Sequence, residues 1–412
     1  MRTFFVILLA VCLLLITFSG CNITNEPDVW NGHIAEAFES GTGSEKNPYI
    51  IETASQLAFL AQEVNSGIDY KGKYIVLDRD LDLNNREWMP IGNGTYSFHG
   101  IFDGNGHTIS NFKIINGISF PSESSSEAID QYTTGLFGSC CNAAIKNIAI
   151  EKASITIQNI TNVSTIMGGI LIGTMHSDST AEISNVSVVD STISVFELDN
   201  NSSSLRIGGI VGYLSGNDDS SLLMKNIHAN TCISIENGSA SYNLVGGLAG
   251  ASSTYNLFEV SNCASYLSVN VDTENAYLQH NFIGAFGSMV TKNDIVSISN
   301  VFSKVTTNKI NDISHGYYAY NANAIIGETN HAKQKDGTRI GGYKFQNLFG
   351  YVEQVDAPTG EIAKSVQLYE LSSQVIYAET NCRGCESLPT DHGFDESVWN
   401  LTDLSTPKII MK

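Results

Sequence analysis

The sequence predicts an all-β solenoid, a single-stranded parallel β-helix with a short capping helix at its N-terminal end and a cap at its C-terminal end. Three observations carry this. First, a glycine-flanked apolar word returns along the chain: GLFG at 135, GGILIG at 168, GGIVG at 208, GGLAG at 246, IGAFG at 283 and AIIG at 324. Second, each is followed by a word with an apolar residue two places before an asparagine and another directly after it. These asparagines are Asn147, Asn185, Asn226, Asn262, Asn300 and Asn347, and ISNFKI supplies an earlier one, Asn111. Their spacings of 36, 38, 41, 36, 38 and 47 residues give a ragged period of solenoid length. Third, short β-branched stretches such as ASITI (153 to 157), STISV (191 to 195) and LSVNV (267 to 271) complete each period. Three strands per period, with no helical spacing, make a coil of three sides around one shared apolar interior.

Taken in order, the chain opens with Arg2, an apolar run from Phe4 to Ile16, and Ser19-Gly20-Cys21. This has the form of an export signal, too short to span a bilayer comfortably. Residues 1–20 are expected to be the signal and 21–40 a tether. Cys21, directly after the small residues, is placed like the lipidated cysteine of a bacterial lipoprotein; Phe18 departs from the usual leucine.

Residues 41–114 are expected to form the N-terminal cap and first coil. Within them, Thr53 and Gln56 read as a capping box, and Leu57, Leu60, Ala61 and Val64 share a helical face that Gly67 ends. The following IVLDRDLDL reads as one strand, with Leu77, Leu81 and Leu83 on one face and Asp78, Asp80 and Asp82 on the other. Three carboxylates in a row are a candidate Ca²⁺ site, weighed against a charged face that keeps an edge soluble. Asn217-Asp218-Asp219 is a second, less regular candidate.

Next, FHGIFDGNGHTISNFKI gathers His99, Asp103, Asn105 and His107 around glycines 100, 104 and 106. The repeat assigns most of it to architecture. Asp103-Gly104-Asn105-Gly106 is a turn, Ile109 and Phe112 point inward, and Asn111 is expected to be the first rung of an asparagine ladder. Each Asn would donate its amide to one neighbour and accept from the other.

Residues 115–355 hold the repeats, with polar loops at 121–132, 197–204 and 216–221 where specificity is expected to reside. Residues 356–412 are expected to close the far end, through a helix in SVQLYELSSQVIYAET (365–380) and a lid around Trp399 and Pro407. Cys382 and Cys385 are spaced for a small disulfide loop, and Cys263 reads as a small buried hydrophobe.

Composition narrows the function. Charged residues are 16% of the chain, against about 25% in typical proteins, and the net charge is −20, or −21 once Arg2 leaves with the signal. Such a surface repels nucleic acid and anionic lipid. Neutral glycans, surface proteins or divalent cations fit it better.

The GGIVG and GGLAG words resemble the GLUG motif of bacterial surface proteins. The segment from GTGSEKNPYII to FDGNGHTISNF is similar to the block that commonly precedes such repeats, and GFDESVWNLTDLSTPKI to the block that closes them. The resemblance implies a pectin-lyase-like β-helix, right-handed as crossovers generally are. It also implies an exported, lipid-anchored adhesin that binds an extracellular glycan or a host or bacterial surface protein and needs no cofactor beyond Ca²⁺. The alternative is a polysaccharide lyase or glycoside hydrolase on the same scaffold, which needs paired carboxyls beside aromatic stacking partners. No such pair recurs in the sequence. The resemblance also touches metallopeptidases, but no histidine is followed by glutamate, so HExxH is absent.

Overall fold

The computed structural model describes residues 27–121, 130–160, 163–198, 204–238, 242–253, 257–271, 280–291, 295–308, 311–312, 320–322, 326–331, 342–355, 362–366, 399–400 and 408–409. They form a parallel β-solenoid. One sheet of 15 strands and another of 12 run the length of it; apart from the antiparallel pairs Ile118–Pro121 with Asp130–Thr134, Asn311–Asp312 with Tyr320–Ala322 and Gly342–Val355 with Ile362–Val366, strands pair in parallel with counterparts one coil away.

The coil containing Asn147 shows how the words become structure. Strand Ala144–Glu151 pairs in parallel with the next coil's Thr180–Leu198, Ile145 beside Ile183 and Ile148 beside Val186. Asn147 sits at φ +55° and its counterparts Asn185, Asn226, Asn262 and Asn300 at +51° to +54°. Asparagine tolerates this left-handed conformation better than other residues with a side chain. A left-handed residue turns the chain and resets its alternation, so Ile145 and Ile148 both face inward and are fully buried. That is the origin of the apolar-x-Asn-apolar word. A second left-handed corner follows at Asn111, Lys152 and Asp190. The chain then runs along Ser154–Gln158, packing Ile155 and Ile157 into the interior.

The expected third side is folded in two. Strand Ser204–Gly208 runs into the corner and Val211–Gly216 runs out of it. A Cβ on Gly208 would lie 1.9 Å from the carbonyl oxygen of Val211, and one on Gly246 would lie 1.8 Å from that of Ala249. No side chain fits, which explains why glycine returns in this word. GGILIG, one residue longer than GGIVG, stacks on it without a break: Gly169 pairs with Gly208 and Ile172 with Val211 in continuous register. The shift falls instead at IGAFG, between Gly246 and Ala249 of the preceding coil.

One apolar core runs from the capping helix through the coils, from Leu57, Leu60 and Val64 to Ile298 and Val305. The helix is Ala54–Asn65, with the expected capping box: the Gln56 N–H donates to Thr53 Oγ1, and Gln56 Oε1 accepts from the Thr53 N–H at 3.1 Å. Asp28 adds a tertiary cap, its Oδ2 accepting from the Ala54 N–H at 2.7 Å.

The start departs from expectation. Residues placed in the tether already belong to the fold, because Asp28–Val29 pairs with Leu81–Asp82 and Trp30 is buried. Stacking also begins inside the expected cap: Tyr49–Ile51, Tyr74–Leu77 and Ile101–Asp103 already lie in parallel succession. At the other end, Ser365 and Val366, expected to open a helix, belong to strand Ile362–Val366, antiparallel to Gly342–Val355. Trp399–Asn400 pairs with Lys408–Ile409. The rest of the C-terminal cap, including Pro407, lies outside the described residues, as do Cys21, Cys382 and Cys385.

Candidate functional site

The asparagine ladder exists, but its first rung is not Asn111. Asn300 donates to Asn262 at 3.0 Å, Asn262 to Asn226 at 3.2 Å, Asn226 to Asn185 at 2.8 Å, and Asn185 to Asn147 at 2.7 Å. Asn147 then donates to Asp103 Oδ1 at 2.9 Å. Every amide points toward the N-terminal end, so the terminal position needs only an acceptor, and a carboxylate supplies it. Lys146 lies 3.4 Å from the other Asp103 oxygen. Asn111 belongs to the second corner, its N–H donating to Glu151 O. The register sets Asn347 beside Asn300, between the pairs Ser299–Gln346 and Val301–Leu348; its side chain is outside the described residues.

The acidic row does not converge. IVLDRDLDL is two short strands, Tyr74–Leu77 and Leu81–Asp82, with Asp78 to Asp80 in the bend between them. Asp80 Oδ1 accepts from the Thr108 N–H and lies 3.1 Å from His107 Nδ1, whereas Asp82 Oδ1 caps Asn84 N–H. Asn217 Oδ1 likewise closes a turn onto the Asp219 N–H. Among the described residues no three His, Cys, Asp or Glu side chains gather as a metal would require. Cys263 is fully buried, as expected, and burial pushes its thiol up to about 12.

The site that the words did not reveal is the seam between the two arms of the folded third side. Its two arms touch at the root, where a Cβ on Gly250 would lie 2.4 Å from Ile207 N. Farther out, the outer faces bury a small apolar cluster of their own, Leu244, Ala251 and Phe282, with Tyr213 packed against it. The Arg206 guanidinium lies 4.0 Å from the Tyr213 ring centroid, a cation–π contact.

At the mouth, each arm presents a column of side chains, one per coil. One lip reads Gln131, Thr165, Ser204, Tyr242, His280. The Tyr242 ring is 45% exposed and stacks on His280, with centroids 4.9 Å apart and planes 12° from parallel. His280 covers one face of the ring, and the small Ser204 leaves the other face uncrowded from its own column.

The second lip reads Cys141, His176, Ser215, Ser253, with His99 next to it, since Phe98 bridges to Cys140. Here His176 Nε2 lies 2.8 Å from Asp178 Oδ1 and His176 Nδ1 lies 3.0 Å from Ser215 Oγ. Asp178 is held in turn: its N–H donates to Asn142 Oδ1 at 2.8 Å, and Asn217 Nδ2 reaches its Oδ1 at 3.4 Å. The Tyr213 hydroxyl meets Ser253 Oγ at 2.5 Å. Burial, reinforced by the Asp178 charge, pushes the Cys141 thiol up to about 11, so it stays protonated at neutral pH. Burial also lowers the pKa of His99.

No family model matches the chain. It is 26% identical over 183 residues to a protein of Evansella cellulosilytica named as a Gly-rich membrane protein; the match covers 43% of this chain and 18% of that one. It is 30% identical over 190 residues to Halomucin of Haloquadratum walsbyi, over 38% of this chain and 2% of the relative. The chain therefore spans less than a fifth of either relative. A solved structure from Bacteroides ovatus, assigned as an immunoglobulin A1 protease, aligns over 74% of this chain and 94% of its own at 17% identity, with a TM-score of 0.36. Among the described residues no helix is long and apolar enough to cross a membrane.

Proposed function

We propose that this chain is an exported, lipid-anchored binding module of the cell surface that recognises neutral glycan on the lip that carries Tyr242. The observation that carries the reading is the Tyr242 platform, an exposed ring braced on one face by His280. A sugar ring buries its C–H face on such a platform and turns its hydroxyls toward polar neighbours. Thr165 and Ser204 on the same lip, and Ser215 and Ser253 on the other, offer those partners. The net charge of −20 disfavours anionic ligands. This moves recognition from the polar loops to a face of the coil itself. The name of the Evansella relative supports a membrane-associated setting, and Cys21 is the proposed point of attachment.

The test is a glycan array probed with the purified chain, followed by calorimetry on the best ligand. Tyr242→Ala should weaken binding by about tenfold or more, the loss of roughly 1.4 kcal/mol or more, and Tyr242→Phe should retain it. Failure to bind any glycan, or equal binding by Tyr242→Ala, overturns the reading. For the anchor, Cys21→Ala should move the protein from the membrane fraction to the soluble one.

A further inference from the structure

We propose that Ser215, His176 and Asp178 form a hydrolytic site for carboxylic esters on one lip of the seam. The hydrogen-bond roles point to it. A carboxylate only accepts, so the 2.8 Å contact with Asp178 Oδ1 places the imidazole proton on Nε2. Nδ1 is then the acceptor, and at 3.0 Å the donor to it is the Ser215 hydroxyl. This is the protonation pattern of a nucleophile, its base and the group that orients the base. The constellation is open to solvent: side-chain exposure is 44% at His176 and 57% at Asp178.

In the reaction, Ser215 Oγ bonds to the ester carbonyl carbon as its proton passes to His176 Nδ1. The carbon–alkoxy bond then breaks, and the leaving alcohol takes that proton. Water next gives a proton to His176 and bonds to the acyl carbon, and the bond to Ser215 breaks, releasing a carboxylic acid and restoring the hydroxyl. The Ser253 hydroxyl, beside Ser215 on the same lip, accepts from the Tyr213 O–H and donates its own proton to the developing oxyanion.

The alcohol half of the substrate rests on the glycan reading. The arms fold back with Arg206 over Tyr213, so the pair of positions farther out is Ser204 and Ser215. A sugar on the open face of Tyr242 lies over Ser204, one coil spacing from Tyr242 and across the seam from Ser215. The substrate class is a glycan bearing a small acyl ester.

The test uses the purified chain with p-nitrophenyl acetate and a fluorophosphonate probe, neither of which requires glycan binding. The chain should release p-nitrophenolate and be labelled at Ser215, located by peptide mass. Ser215→Ala should lose both signals while keeping its circular dichroism spectrum. Asp178→Asn should lower kcat by about a hundredfold with little change in KM. Absence of turnover above Ser215→Ala, or labelling elsewhere, overturns the proposal. Turnover without glycan binding would overturn only the glycan reading; binding without turnover would overturn only this one.

Discussion

Asn226 stands in the middle of the ladder, and replacing it separates the two roles of a corner asparagine. Its Nδ2 donates to Asn185 at 2.8 Å, its Oδ1 accepts from Asn262 at 3.2 Å, and its backbone holds φ +54°. Glycine accepts that backbone conformation but removes both hydrogen bonds. At about 1 kcal/mol each, the ladder loss is about 2 kcal/mol. Glycine also adds roughly 0.5–1 kcal/mol of unfolded-state entropy. Alanine removes the same bonds and must sit left-handed, which costs roughly 1–2 kcal/mol more. Asn111→Gly is the internal control. It has φ +56°, but it lies at the second corner and outside the ladder, so it carries the entropy cost alone. Urea unfolding followed by circular dichroism should rank wild type, Asn111→Gly, Asn226→Gly and Asn226→Ala in falling order. Hydrogen exchange should place the loss in the coils around Met224 and Val260. Repeat stability is a sum of neighbour interfaces, so the effect should fade with distance along the axis. Equal stability of the two glycine variants would refute the ladder as a stabilising element. Equal stability of Asn226→Gly and Asn226→Ala would refute the backbone argument.

Gly246→Ala should lower stability by about 3 kcal/mol or leave the chain insoluble, since the new carbon would sit 1.8 Å from a backbone oxygen that cannot move aside alone; expression and thermal melting read it. Cys141, with a thiol near 11 against an ordinary value of 9.0, should carry about a hundredfold less thiolate than a free cysteine and react that much more slowly with a maleimide. Removing the charge that helps hold that value up, in Asp178→Asn, should speed labelling of Cys141 at fixed pH. Thr53→Ala should cost about 1 kcal/mol through loss of the Gln56 N–H acceptor, and Asp28→Ala about as much again, because both cap the same helix end; thermal shifts of the single and double variants check this.

Much of the scaffold was legible because it rests on local chemistry. The capping box and the face of Leu57, Leu60, Ala61 and Val64 specify their helix within a dozen residues. The apolar residues around each asparagine encode a left-handed turn with both flanks inward, whichever coil comes next. The same locality produced the error at Asn111. ISNFKI satisfies the word, but only its pairing with Glu151 and Lys152 shows that it lies one corner later. The true end of the ladder, Asp103, carries no asparagine word at all. The row Asp78, Asp80 and Asp82 failed for a related reason: alternation assumes a straight strand, and the bend after Leu77 belongs to the coil.

The seam and its lips were beyond reach of the sequence. Cys141, His176, Ser215 and Ser253 are separated by 35, 39 and 38 residues in sequence, and no repeated word marks them, because a functional column need not repeat one residue type. A signal was present in hindsight: each lies three places after the last glycine of its GLFG, GGILIG, GGIVG or GGLAG word. What the sequence by itself determined was the coil, its asparagine corner and the helix that starts it, since these follow from residues close together in the chain. Which side chains share a lip, and that the third side folds back on itself, only the stacking of coils decided. Parallel register joins residues nearly forty positions apart, and the sharpness of the corner rests on carbonyls three residues away that leave no room for a Cβ.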